Sequence, residues 1–297
     1  MKTIQNWIIA GILVLPVLIG ITMLLHQGMD HGTSIAPASF KRIGLVQVKG
    51  TIDASEEYVR QLQSLRLDNS IAGVILRIDS PGGAVAPAQE IYMEVMKYRR
   101  AHKPLAVSMS TVAASGGYYI ASPAAKIFAD PGTLTGSIGV IFTLPLFQEL
   151  AKKIGVEFRV FTAGKFKDVG SPYRSMTAEE KKFIENLLKD THEQFITDVV
   201  AARGIHRDSL SRYADGRVLT GRQACAAHLI DTLGSYQDAL DWLRQYSGVA
   251  RNAKVVQRKA ASSRLREFFE EESTRIFPAL HQLFRPAGLY YLVEYQR

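Results

Sequence analysis

A serine among small residues, Ala113-Ala114-Ser115-Gly116-Gly117, stands directly after a short apolar stretch and before Tyr118-Tyr119-Ile120-Ala121. At a tight turn from strand to helix a serine hydroxyl is exposed, and the amide after it points into the same space. Small neighbours let a substrate carbonyl approach the backbone there. The same residues also suit a glycine-rich turn whose serine merely caps the helix, and the pattern alone does not separate the two. Upstream, Ser80-Pro81-Gly82-Gly83 follows a run rich in β-branched residues. Two glycines at that place expose amides that can receive a developing oxyanion or hold a substrate strand; alone, they are simply a turn. A nucleophile also needs a base. Lysine serves only where desolvation lowers its pKa from about 10.4 towards 7 or 8, and the candidates stand in Gly164-Lys165-Phe166-Lys167-Asp168. His102, His192, His206 and His228 qualify by residue type, but none has a suggestive context.

Other chemistries find no footing. The position five before Gly164 is Arg159, so no GxxxxGK phosphate loop forms, and there is no HExxH. The 7 histidines are never paired at metal-ligand spacing, and TGSIGV lacks the third glycine of a dinucleotide loop. Cys225 is the single cysteine, which excludes an intramolecular disulfide and a cysteine-based metal site. A net charge of +8 invites a nucleic-acid reading. The charges are spread through mixed-sign segments, however, so nucleic acid is not read as a partner. With 47% apolar and 22% charged residues the chain has the composition of a globular protein.

The elements that must position these residues alternate between strand and helix. Ile43–Val48, Ile71–Ile78, Pro104–Met109 and Val156–Thr162 read as strands, and Pro87–Arg100 and the stretch from Ser115 onward as helices. Thr177 with Glu180 forms a capping box, after which Phe183, Leu187, Leu188, Phe195, Val199 and Val200 keep the helical period. Such alternation predicts an α/β domain with a largely parallel sheet.

Five motifs in order, DSPGG, MSTVAASGGYYIA, LTGSIGV, GKFKDVGSP and ADGRVLTGRQA, resemble those of the signal peptide peptidase A family over about residues 41–247. One copy of each is present, as in the short form of that family. The resemblance implies a Clp-protease/crotonase-like α/β fold of repeated ββα units and a serine peptidase with a Ser/Lys dyad, which requires no metal and no cofactor. By motif position Ser115 is the nucleophile and Lys167, before the aspartate of the KD pair, is the base. Ser137 orients the lysine amine, and Gly83 and Gly116 supply the oxyanion-hole amides. An extended peptide would lie along Gly82 to Val85. The implied substrates are short apolar peptides such as cleaved signal peptides. The implied assembly is a homo-oligomer in which Ser115 of one subunit meets Lys167 of the next. A catalytically silent membrane scaffold of this fold is the alternative from another class, and retention of both Ser115 and Lys167 argues against it. A crotonase-like acyl-CoA enzyme is the third reading, and the Ser/Lys pair and the apolar N-terminal run count against it.

That run, Trp7 to Leu25, holds no charge. As a helix it would reach roughly 28 Å, close to a bilayer's hydrocarbon thickness. Lys2 precedes it, and positive-inside bias puts residues 1–6 in the cytoplasm and the remainder outside. The expected place is a bacterial inner membrane with the catalytic domain on its outer side. A cleaved signal peptide is the competing reading; the length of the run favours a retained anchor at 7–25. Residues 26–40 read as a linker, 41–247 as the peptidase domain and 248–297 as a tail, basic and then amphipathic. The tail's apolar positions suit a helix that packs on the domain or a neighbouring subunit, or one that lies on a membrane surface.

Overall fold

The computed structural model describes residues 41–258 and 289–292. The expected span 7–25, the linker and the apolar positions from Leu265 to Leu283 lie outside the described residues. Among the described residues no helix is long and apolar enough to cross a membrane.

Strand β1 (Arg42–Lys49) pairs in parallel with β2 (Ile71–Ser80), and α1 (Glu56–Leu67) connects them. Successive side chains of a strand point to opposite faces, so an almost wholly apolar strand must be covered on both. In β2, Val74, Leu76 and Ile78 enter the larger core while Ile75 enters a smaller one behind the sheet. Then β3 (Gly82–Ala84) runs directly into α2 (Val85–Arg100), so that β2, β3 and α2 make one ββα unit. Ile91, Tyr92, Val95 and Tyr98, at helical spacing, bury α2 against the larger core.

Next come β4 (Leu105–Ala114), the short α3 (Gly116–Ala121), β5 (Lys126–Ala129) and β6 (Leu134–Gly136). The length of β4 gives it two partners on one edge. Ala106–Ser108 pair with β5 and Val112–Ala114 with β6. A segment with α4 (Gln148–Lys153) follows, then the 26-residue α5 (Ala178–Arg203), α6 (Arg207–Ser211), β7 (Val218–Thr220), α7 (Gly221–Ala226), β8 (Thr232–Leu233) and α8 (Tyr236–Tyr246). Ala239, Leu240 and Leu243 of α8 close the smaller core. With β9 (Val255–Gln257) the sheet order is β7-β6-β4-β2-β1-β9, with β5 on β4 and β8 on β5; only β6 and β7 are antiparallel within it.

Three differences from expectation matter for the site. Val156–Thr162 forms no strand. Val156, Phe158 and Val160 alternate as a strand would, but they are exposed, and no described strand pairs with them. In α5 only the second half is covered: Phe195 and Val199 are buried, whereas Phe183 and Leu187 stand at 38% and 40% exposure. The tail, finally, is not wholly separate from the domain. Its residues supply β9 (Val255–Gln257), parallel to β1, and β10 (Tyr290–Leu292), antiparallel to β3.

Candidate active site

The carboxyl ends of β2, β4 and β6 converge, as ligand-binding crevices of parallel sheets do. Ser80 is in register with Ala113, and Ala114 with Gly136. Each of those last two residues is followed by a serine, so Ser115 and Ser137 leave neighbouring strand ends side by side. Both have positive φ, 53° and 51°. A non-glycine residue there carries backbone strain, which surrounding contacts must hold in place. For Ser115 they do: its amide donates to the Gly136 carbonyl at 2.8 Å, and its own carbonyl starts α3 by accepting from the Tyr119 amide at 2.8 Å. The Ser137 amide donates to the Arg217 carbonyl at 2.8 Å.

Ser115 is 1% exposed, and its Oγ has no hydrogen-bond partner among the described residues. A buried unsatisfied hydroxyl costs stability, so its retention calls for a functional reason. Around it lie the glycines of the two motifs. A methyl group on Gly116 would stand 3.2 Å from the Gly83 amide nitrogen, and one on Gly82 would stand 2.8 Å from that of Gly116. Two amides thus face one small space beside a strained serine, with no room for side chains between them. Gly82 itself has φ 107°, a conformation that side chains rarely adopt.

That space holds the chain's own backbone. Tyr291 of β10 is in register with Gly83, and a Cβ on Gly82 would collide with the Tyr291 carbonyl oxygen. The same oxygen lies 3.1 Å from where a Cβ on Gly116 would be. The Val85 amide donates to the Leu289 carbonyl at 3.2 Å, so the edge from Gly82 to Val85 is paired with residues 289–292 of the same chain. On the far side of β10, Ile141 and Tyr290 exchange two backbone hydrogen bonds of 3.0 and 3.2 Å.

Gly82, Gly83, Val85, Ser115, Gly116 and Ser137 therefore meet; Lys167 does not join them. It lies exposed in a turn outside the crevice, while Ser115 Oγ makes no hydrogen bond to any amine. Arg174 pins that turn by bonding Asp168 at 2.8 Å and Glu180, at the start of α5, at 2.5 Å. The Arg174 guanidinium holds the Glu180 carboxyl down to about 2 and also lowers that of Asp168. Beyond Ser137 a cleft of about 470 Å³ opens between Gly139, Ile141, His192, Asp215 and Leu292. His192 there is tied to the Ile138 carbonyl at 3.2 Å and does not touch Ser115. Among the described residues no group of His, Cys, Asp and Glu side chains could hold a metal ion.

Sequence reasoning missed Tyr291 and the residues about its buried side chain: Tyr119 packs on its ring, the Thr191 carbonyl accepts from its hydroxyl, and Asp198 accepts from Tyr119. Asp198 carried a readable signal, since an acid between Phe195 and Val199 interrupts the buried stripe of a helix. Tyr291 carried none.

Comparison with known proteins agrees with this geometry. The sequence model of peptidase family S49 matches residues 97–250, and that of Clp protease matches residues 37–131. A Synechocystis protein named as a protease is 37% identical over 211 residues, 70% of this chain and 76% of that one. An Enterococcus faecium protein named as signal peptide peptidase SppA is 34% identical, over 70% of this chain and 64% of its own. Protease 4 of Salmonella typhi is 36% identical over 61% of this chain, which spans 29% of that longer protein. The crevice at the strand ends, the strained serine and these matches lead to one assignment: the chain belongs to peptidase family S49 and is a serine peptidase on a Clp-protease-like α/β fold.

Proposed function

We propose that Ser115 and Lys167 form the catalytic dyad of a membrane-anchored endopeptidase for short apolar peptides, remnant signal peptides among them. The observation that carries this reading is the buried, unpartnered Ser115 hydroxyl beside the Gly83 and Gly116 amides, on an edge that binds extended backbone. Ser115 Oγ attacks the peptide carbonyl carbon while neutral Lys167 takes the hydroxyl proton. The oxygen gains charge between the two amides, where preorganised donors act without reorganising. The C–N bond then breaks, the amine leaves with the proton, and water hydrolyses the acyl-serine. Ser137 orients the lysine amine from the adjoining strand end. An apolar peptide suits the site because main-chain pairing along Gly82–Val85 gives affinity independent of sequence.

Lys167 comes from a neighbouring subunit. This is supported by its exposed place in the single chain and by the missing partner of Ser115 Oγ. The apolar run 7–25 holds the chain in the inner membrane, with the peptidase domain outside the cytoplasm. Phosphonylation by a serine-reactive phosphonate, which loses its leaving group to the serine oxygen, tests the nucleophile on which the reading depends. The adduct is expected on Ser115 by mass spectrometry and absent from Ser115→Ala; a modified serine elsewhere, or none in an active preparation, refutes it.

A further inference from the structure

The edge of the sheet opposite the crevice carries a charge that the peptidase reading does not use. The parallel registers set the starts of β1, β2, β4, β5 and β9 side by side there. The helices α1, α2 and α8 end at the same edge, each leading into one of those strands. Acids at this edge are already taken. Asp68 faces Arg42 at 3.9 Å and also Arg258, and Asp231 before β8 is held by Arg203 at 2.6 Å. Glu94 is buried between Arg66 at 2.9 Å and Lys97 at 2.7 Å. Lys103 spends its amine on the carbonyls of Leu65, Arg66 and Asp68 and so closes α1. Lys41, Arg100, Arg251 and Lys254 remain, with no ion pair among the described residues. A cleft of about 210 Å³ opens beside them, lined by Arg99, His102, Pro104, Pro123 and Tyr246. Arg99 gives one nitrogen to the Ala202 carbonyl at 2.6 Å, and its guanidinium has further donors. Apolar groups stand among these charges. Leu67 is 63% and Tyr246 65% exposed, and Tyr246 stacks on Trp242, over whose ring the Lys126 amine lies at 5.3 Å. Bases beside exposed aliphatic and aromatic tips match a bilayer surface, where phosphate charge meets acyl chain. A free anion would use the charge alone.

We propose that this edge docks on the headgroups of anionic phospholipids, with one headgroup phosphate in the cleft between Arg99 and His102. Its setting on an anchored chain rests on the membrane reading of residues 7–25; its chemistry rests on the edge itself. The domain joins the apolar run at this edge, because Lys41 leads into β1. Leu25 lies about 16 residues before Lys41, a tether of at most roughly 55 Å. So short a tether keeps the edge at high effective concentration to lipid, and several weak contacts then suffice. Ser115 lies at the other ends of the strands, so docking leaves the crevice clear of the bilayer.

Lysine footprinting of the full chain tests this. The chain is mixed with vesicles of phosphatidylcholine alone, or with about a third phosphatidylglycerol, and treated with an impermeant acetylating reagent. Mass spectrometry reads Lys41 and Lys254 against Lys182, exposed near the start of α5 and roughly 30 Å from the end that meets the edge. On anionic vesicles Lys41 and Lys254 are expected to react about fivefold more slowly, relative to Lys182, than on neutral ones. About 0.5 M sodium chloride should remove most of that protection. The double variant Arg100→Glu, Arg251→Glu, both exposed positions, should bring the ratio to within about twofold of its neutral value. Equal ratios on the two vesicles, or protection that survives the charge reversal, overturn the proposal. So does equal protection by inorganic phosphate on neutral vesicles, which would make the edge a site for a free anion. A chain that fails to float with neutral vesicles counts against the anchor reading alone, and the footprint on anionic vesicles still decides the docking face.

Discussion

Ser115 sits at φ 53° and ψ −117°, where only glycine is at ease. Strain of this kind costs about 1–3 kcal/mol and is retained where function needs the side chain in that place. Ser115→Gly is therefore expected to be inactive yet more stable than Ser115→Ala by about 1 kcal/mol or more. Denaturant midpoints compare the two, and equal midpoints would mean the backbone is not strained there. Activity itself discriminates the lysines. Lys165 is engaged by Glu179 at 2.6 Å in an exposed pair, whereas the Lys167 amine has no ion pair among the described residues. Lys167→Ala should lose nearly all turnover and Lys165→Ala little, and the opposite ranking in kcat would move the base. A lysine base must be neutral to act, so turnover should rise from neutral to alkaline pH. The roles of Lys167 and Ser137 came only with the family resemblance, whereas the turns at Gly82, Gly83 and Ser115 were readable from glycine and serine patterns that mark a tight backbone geometry. Tyr291 was not, since an ordinary tyrosine in a tail says nothing of the distant strand it will pair with.

Among the elements, those whose partners are near in sequence were the legible ones. Apolar runs marked β1, β2 and β4, and Thr177 and Glu180 marked the start of α5, where both capping-box hydrogen bonds form. Val156–Thr162 misled because alternation reports which residues are apolar and not whether an edge waits for them. The turn carrying Lys167 is held from outside itself, by Arg174 between Asp168 and Glu180. Hydrogen bonding from Arg174 depresses both carboxyls, Glu180 to about 2. A depressed carboxyl gives stability that is fully present above its unfolded value, about 4, and is lost as pH falls towards its folded one. The triad should thus weaken between about pH 4 and 2, with the effect reduced by solvent screening because Arg174 and Asp168 are partly exposed, although Glu180 is buried. Arg174→Ala is expected to flatten the fall of Tm across that range and to lower kcat at neutral pH. Parallel Tm curves for the two proteins would mean that the triad holds nothing.

At the scale of the whole molecule, one segment does not behave like the surface of a finished protein. Leu146, Leu150, Ile154, Val160 and Phe161 are all more than half exposed, Phe161 at 92%, and Lys167 follows on the same stretch. Apolar exposure on that scale marks a contact surface, and the uncovered first half of α5 adds Phe183 and Leu187 to it. A lysine amine serves as a base only where water is kept away, and a neighbouring subunit seated on this segment would do that while carrying the amine to a foreign Ser115. The arrangement has a countable consequence. When Ser115→Ala and Lys167→Ala chains exchange subunits in equal amounts, an interface works only if it joins an intact serine to an intact lysine. Random mixing in a closed ring makes about a quarter of interfaces competent, so about a quarter of wild-type activity should return from two inactive proteins. Labelled subunits confirm that mixing has occurred. Should verified mixed oligomers remain inactive, each chain completes its own dyad, and the turn bearing Lys167 must then swing onto Ser115 of the same chain.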